Sequence, residues 1–430
     1  MIAGNRAAPG TEAYAREHFG LDAEHVSGVN GWRVEDLVRP GLRRNPKRAH
    51  LWVSTVLGKH IPVPPAVIFA AAADLGVLAT AALGVHGLGD CLVFGFAETA
   101  TGLGHAVAHQ MDAGHYLQST RRGNSAAPVV ARFEEGHSHA TDHLIVPTDP
   151  DHLYTDLPVV LVDDEISTGA TALDAISSMQ RIHHRSLYMV ASLVDMRTDE
   201  DITRCRRRAE ELGTEVEFVS LARGRSQIPA GLPARVVGLP AATPPPTPLR
   251  PGSVQRLEVP WPASIPDGGR HGFRRADWPQ FDEAVSEVAG VVAGHLDPTR
   301  SIVVVGHEEL MYLPQRVAGS LAEFVEAPIL SQTTTRSPAH VIDHPNYPLR
   351  RGYHFIAPEP DEARDRYLYN ATHDDPGARL VMIIDSPADT EALTATDGLL
   401  DTLSGAGIDV LLVVVPGTDY LALRAARETP

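Results

Sequence analysis

The stretch "VVLVDDEISTGAT", Val159 to Thr171, sets three acidic side chains, Asp163, Asp164 and Glu165, in front of a turn of small residues, Ser167, Thr168, Gly169, Ala170 and Thr171. The four apolar residues that lead in read as a buried parallel strand, and "TALDAISSM" reads as an amphipathic helix. The turn therefore lies at a strand's carboxyl end and a helix start, where an open α/β sheet places ligands. Backbone N–H groups, hydroxyls and the positive end of the helix make Ser167 to Thr171 a phosphate cradle. Asp163 and Asp164 would repel that phosphate if they faced it. They suit hydrogen-bond donors, such as a vicinal diol, or bound Mg²⁺. A sugar phosphate meets both demands. No Gly-Lys-Ser/Thr follows, as a nucleotide-binding phosphate loop would need, and the Gly-x-Gly-x-x-Gly dinucleotide pattern is absent from this turn.

At 430 residues the chain exceeds one ordinary compact core, which predicts two domains. A net charge of -17 argues against general affinity for nucleic acid or anionic membranes. Two cysteines, Cys91 and Cys205, cannot build a disulfide framework and suit a reducing, cytoplasmic setting. The apolar region from Pro65 to Phe96 is broken by Asp74, His86, Asp90 and glycines, so it predicts a core helix, a turn and a short strand rather than a membrane span. No basic segment precedes an early apolar core, and no signal peptide is expected.

Proline and glycine accumulate between Ile228 and Asp267, most densely in "AATPPPTPLRPG", which favours extended chain without sheet hydrogen bonds. This predicts a first domain over residues 1–240, a linker over 241–267 and a second domain over 268–430. The two halves read as a diverged repeat. Gly95 and Glu98 after one strand are matched by Gly306 and Glu309 after another, and "YLQSTRR" from Tyr116 is matched by "LSQTTTRSP" from Leu330. "LVMIIDSPADT", Leu380 to Thr390, faces the opening stretch with Asp385 alone and no glycine turn. Pro387 removes a donor there and Asp389 adds negative charge, so a phosphate should bind poorly.

The opening stretch resembles the phosphoribosyl pyrophosphate signature of type I phosphoribosyltransferases, with four apolar residues, two acidic ones and a Thr-Gly-x-Thr turn. "NPKRAHLWVSTVLGKHIPVPP", "GFAETATGLG", "STRR", "HSHATDH", "TTTRSP" and "YLYN" resemble the fused phosphoribosyltransferase and TRSP proteins encoded near tellurium-resistance genes, over roughly Val34 to Gly417. The resemblance implies a type I phosphoribosyltransferase-like parallel sheet flanked by helices, and the repeated pattern predicts that the second α/β domain following it is a degenerate copy. It implies that Asp163 and Asp164 hold the ribose hydroxyls while Ser167 to Thr171 hold the 5′-phosphate.

Displacing pyrophosphate from C1′ passes through an oxocarbenium-like state, so the site needs Mg²⁺ and cationic or N–H donors for the leaving group. The turn from Ala97 through Thr99 to Thr101 sits where the family keeps its pyrophosphate loop. Glu98 within it has two readings: a water-mediated Mg²⁺ or loop-locking role, or a charge at a helix N-terminus with no ligand contact. Among 37 Lys and Arg only Lys47 and Lys59 are lysines; Lys59, after an apolar strand, is the better candidate for a mobile ammonium near phosphate. Arg121 and Arg122 end a strand and are expected on phosphate. His137 and His139, close to His143, occupy the place of the family's mobile catalytic loop, as an acid/base or pyrophosphate donor. Thr335, Arg336 and Ser337 could grip an acceptor's carboxylate or phosphate, or lie where the halves pack.

The reading is a Mg²⁺-dependent transfer of the 5-phosphoribosyl group from phosphoribosyl pyrophosphate to a small-molecule acceptor. The alternative is a nucleotide-sensing regulator of the same fold without transferase activity. No helix-turn-helix or basic tail supports DNA binding. A homodimer is compatible with either.

Overall fold

Runs of Val, Leu and Ile without polar alternation become buried parallel strands in two sheets of the computed structural model, which describes residues 13–45, 47–84, 90–123, 127–134, 142–239, 248–359, 364–372 and 374–428. The first sheet runs in the order Asp22–Gly28, Glu215–Gln227, Leu187–Asp195, Val159–Ile166, Leu92–Gly95, His115–Gln118, Phe273–Arg274. Its two edge strands are antiparallel and the other pairings are parallel. The second sheet is parallel throughout, in the order Val254–Glu258, Val410–Val415, Arg379–Asp385, Ile302–Gly306, Ile329–Thr333.

The third to sixth strands of the first sheet and the last four of the second follow the same spatial order relative to their sequence order. Register makes the match residue by residue. Gly95 lies beside Val162 and Gln118, and Gly306 lies beside Ile383 and Thr333. Counting on from those pairs puts Glu98 opposite Glu309, Arg121 opposite Arg336, and Asp164 opposite Asp385 in the two copies. Each copy also carries an antiparallel hairpin, Ala131–Glu134 with Asp142–Ile145 and Gly352–Ile356 with Asp365–Tyr369. Each hairpin bridges back to its Thr-Arg segment, Leu144 to Thr120 and Tyr367 to Thr335.

Side chains alternate along the strands between a shared core and a private one. Val93, Val160 and Val162 join one cluster with Val304, Val381 and Val413, whereas Phe94 and Leu161 pack toward helix Ala170–Ile182, and Val305 and Met382 form the second half's own cluster. Helices Pro65–Leu83, Thr101–Gln110, Trp278–Ala293 and Tyr312–Leu321 contribute to the shared core. Pro65–Leu83 is long and apolar enough to cross a membrane, but Ile68, Ala71, Ala72, Leu75, Ala79 and Leu83 are buried, five of them in this core.

One expectation is corrected: the segment predicted as a linker without sheet hydrogen bonds contains a strand. Beyond Pro251 and Gly252, the run "VQRLE" carries no Pro or Gly, keeps its N–H groups, and adds a strand to the second sheet. The strand continues through Ile166, so the acidic residues lie on it ahead of the turn; Asp163 is registered against Ser192 and Glu165 against Val194.

Candidate active site

A cavity of about 610 Å³ opens at the carboxyl ends of strands from both sheets. The first half contributes Phe96 to Thr99, Arg121, His143, Asp163 to Glu165 and Thr171; the second contributes Thr335 to Pro338 and Arg364 to Tyr367. The third wall is the N-terminal hairpin Val38–Leu42 with His50–Ser54 and the segments around it, which supply Arg43, Arg44, Arg48, Trp52, Lys59 and His60. Cations outnumber acids on this surface, in a chain with net charge -17. That local excess suits a polyanion.

Asp163 and Asp164 are half-buried at the cavity, and the Asp164 N–H donates to Asp163 Oδ1 at 2.9 Å. Glu165 accepts from Arg48 Nη2 at 3.1 and 3.2 Å. Burial nonetheless pushes its carboxyl above the ordinary range, with Arg48 opposing. Behind them, Ser167 and Thr168 are half-buried and Gly169 caps helix Ala170–Ile182 at φ 82°. A side chain at Gly169 would be strained by that φ and would meet Cys205 Sγ at 2.6 Å. The first helical N–H to bond back is that of Leu173, to the Gly169 carbonyl at 3.1 Å, so the N–H groups of Thr171 and Ala172 precede the helix's internal bonding and face outward as a cradle requires. Thr171 reaches the cavity wall, whereas Ala170 is exposed.

In the loop after Leu92–Gly95 the Ala97 N–H donates to Ser119 Oγ at 2.9 Å, and Thr99 Oγ1 accepts a short bond from Lys59 Nζ. Lys59 lies 3.5 Å from Glu98 Oε1. Lys47, by contrast, is exposed and outside the cavity lining. Glu98 is buried and receives the Arg336 N–H at 3.4 Å, with Arg336 Nε 3.8 Å away. Burial opposes its ionisation, but Lys59, Arg336 and Arg121 prevail and hold its pKa at about 2. Glu98 thus has cationic partners from both halves, Lys59 and Arg336.

Arg121 lines the cavity, with Nη2 3.4 Å from His143 Nε2, while His143 Nδ1 lies 2.8 Å from Ser119 Oγ. Arg122 is a correction. It is buried, donating from Nη1 to Asp385 at 2.7 and 2.9 Å and lying 2.9 Å from Glu359, because one register step turns it away from the cavity into the contact between halves. Arg336 lines the cavity and binds Glu308 Oε2 through Nε at 2.9 Å and Nη2 at 2.6 Å. Thr335 is buried against Glu98, and Ser337 lines the wall. His137 and His139 lie outside the described residues.

Sequence reasoning did not single out Arg43, Arg44, Arg48, Trp52, His60, Arg366 or Tyr367 as site residues. The density of arginine in "RRNPKR" and the aromatic pattern of "YLYN" were the available signals. His307, Glu308 and Glu359 bring ligand atoms within 4.8 Å of one another, but Arg122, Arg336 and Arg366 bind those carboxylates, a charge environment that repels a divalent ion.

Residues 37–225 match the family described as phosphoribosyl transferase. Fold, site and match thus define a phosphoribosyltransferase. Residues 267–403 match the TRSP domain described as C-terminal to that transferase, so the chain carries the two domains fused in that order. A comparison with curated proteins finds no match. Similar solved structures include adenine phosphoribosyltransferase from Rhodothermus marinus, 20% identical over 43% of this chain and 94% of that one, TM-score 0.31. The Giardia lamblia enzyme, complexed with 9-deazaadenine, is 18% identical over 44% and 95%, TM-score 0.31. The Trypanosoma brucei enzyme, in complex with AMP, pyrophosphate and ribose-5-phosphate, is 14% identical over 46% and 87%, TM-score 0.34.

Proposed function

We propose that the cavity binds phosphoribosyl pyrophosphate and transfers its 5-phosphoribosyl group to a small molecule held between the N-terminal hairpin and the second half. The observation that carries this is one cavity shared by the Asp163–Asp164 pair, Thr171 at the helix start, and the cations Lys59 and Arg121. The helix start takes the 5′-phosphate. Asp163 and Asp164 accept from the ribose hydroxyls, and Lys59, Arg121 and the loop from Ala97 to Thr99 receive the pyrophosphate. The C1′–O bond breaks with its electron pair going to pyrophosphate, while the acceptor's nucleophile bonds to C1′ and loses its proton. Trp52, Tyr367, Arg336 and Ser337 shape the acceptor side.

Two hard carboxylates at a polar cavity fit Mg²⁺, and Asp163 and Asp164 would hold it. When bound, the ion neutralises charge on the diphosphate. We place the protein in a reducing cytoplasm, which agrees with two buried free cysteines.

Calorimetric titration of phosphoribosyl pyrophosphate with Mg²⁺ tests the site. Wild type is expected to bind, and a folded Asp163→Asn/Asp164→Asn variant to lose that binding; equal affinity in both would defeat the assignment. Pyrophosphate release with candidate acceptors then separates transferase from sensor, since a sensor binds without turnover.

A further inference from the structure

The halves exchange equivalent elements across an internal pseudo-dyad. Val63, just before helix Pro65–Leu83, forms an antiparallel bridge with Ser331 on the second half's edge strand. Phe273, just before helix Trp278–Ala293, pairs antiparallel with Tyr116 on the outermost strand that the first half itself contributes to that side of its sheet. Tyr116 and Ser331 are register equivalents, each two residues before the pairing partner of its glycine.

The same reciprocity reaches the strand-end loops. Glu98 takes the Arg336 N–H and a hydrogen bond from the Thr335 side chain. Glu309 takes the Arg121 N–H at 2.7 Å and the Thr120 hydroxyl at 2.6 Å. Each half's Gly-x-x-Glu loop thus holds the other half's Thr-Arg segment. Glu309 is fully buried, and both its oxygens are engaged by the segment that carries Arg121 into the cavity.

We propose that the second half acts as a built-in partner subunit, with Glu309 as a positioning residue that holds Arg121 in the pose that receives pyrophosphate. The inference rests on the transferase reading above. A carboxylate that accepts two hydrogen bonds aligns a backbone segment more tightly than an amide, which offers one oxygen and an NH₂ that cannot accept. The 5′-phosphate cradle at Ser167 to Thr171 belongs to a different loop and does not touch Glu309. Glu309 should therefore govern the pyrophosphate end of the ligand and not the ribose phosphate end.

The test uses the full chain with Mg²⁺ and three probes: phosphoribosyl pyrophosphate, inorganic pyrophosphate and ribose 5-phosphate. Glu309→Gln is expected to weaken the first two about tenfold and to leave the third unchanged, since a hydrogen bond to a charged group carries about that weight. Thr120→Val, which removes one donor at nearly constant volume, should shift the same two probes roughly fivefold and decides the matter if Glu309→Gln does not fold. Unchanged pyrophosphate binding in the variants overturns the positioning role, and so does equal weakening of ribose 5-phosphate, which would mean general loosening. Wild type that binds none of the three probes would instead defeat the underlying transferase reading.

Discussion

At matched register positions, the strand-end regions of the two sheets have opposite chemistry. In the first, Asp164 is half-buried at the wall of an open cavity. In the second, Asp385 is buried, bound by Arg122 from the other half and lying 3.5 Å from Arg270. Burial works against its charge, yet Arg122 and Arg270 hold its pKa below the usual carboxylate range. The following turn diverges as well. Gly169 opens a 13-residue helix, whereas Ser386–Ala388 is a single 3₁₀ turn after which Asp389 is tied to Arg256 at 2.6 Å. The two halves share a strand order, which the core needs. What surrounds each acid decides whether it faces an open cavity or serves as a fastening between the halves.

The strongest way to break this comparison is to neutralise both acids in turn. Asp385→Asn should leave Arg122 short of its counter-charge and cost about 3–5 kcal/mol of stability, read by denaturant unfolding, while affinity for phosphoribosyl pyrophosphate holds. Asp164→Asn should do the reverse, weakening binding by about 1.5–3 kcal/mol in calorimetry with little change in unfolding. Similar effects of the two substitutions would end the distinction.

Gly169→Ala should cost roughly 1–2 kcal/mol from the left-handed φ alone, more with Cys205 in the way, and should weaken ribose 5-phosphate. Pro387→Ala, in the matching turn, should leave ligand binding unchanged, as calorimetry would show. Lys59→Arg keeps charge but replaces a compact ammonium at Thr99 and Glu98 with a planar fork, so pyrophosphate release should slow roughly tenfold at unchanged melting temperature.

The smallest effect concerns pH. Glu98 titrates at about 2 in the fold against an ordinary 4.5, a depressed value. Its stabilisation is therefore complete above the unfolded value and is lost as pH falls from there through about 2. The stability gap between wild type and Glu98→Gln should be constant from pH 5 to 8 and close on acidification, as urea titrations would show. A gap that widens on acidification would remove the ionic latch from the comparison.

Much of the site was legible in the chain because its chemistry is local. Asp163 to Thr171 make strand end, turn and helix start in consecutive residues, so hydrogen-bonding groups and φ requirements are visible without any partner. The repeated Gly-x-x-Glu and Thr-Arg pairs were equally visible, and the paired strand orders agree with them. Arg122 was misread because its partner Asp385 lies 263 residues away. Nothing in "STRR" tells which arginine faces a cavity and which turns into a contact between halves. The linker strand Val254–Glu258 exists only because Val410–Val415 offers an open edge. The sequence by itself determined which groups could bind phosphate and a diol, since that depends on residue type and short spacing. Tertiary structure alone decided the roles of Glu98, Glu309, Arg122 and Asp385, because the burial and counter-charge that set a charged group's behaviour come from residues distant in the chain.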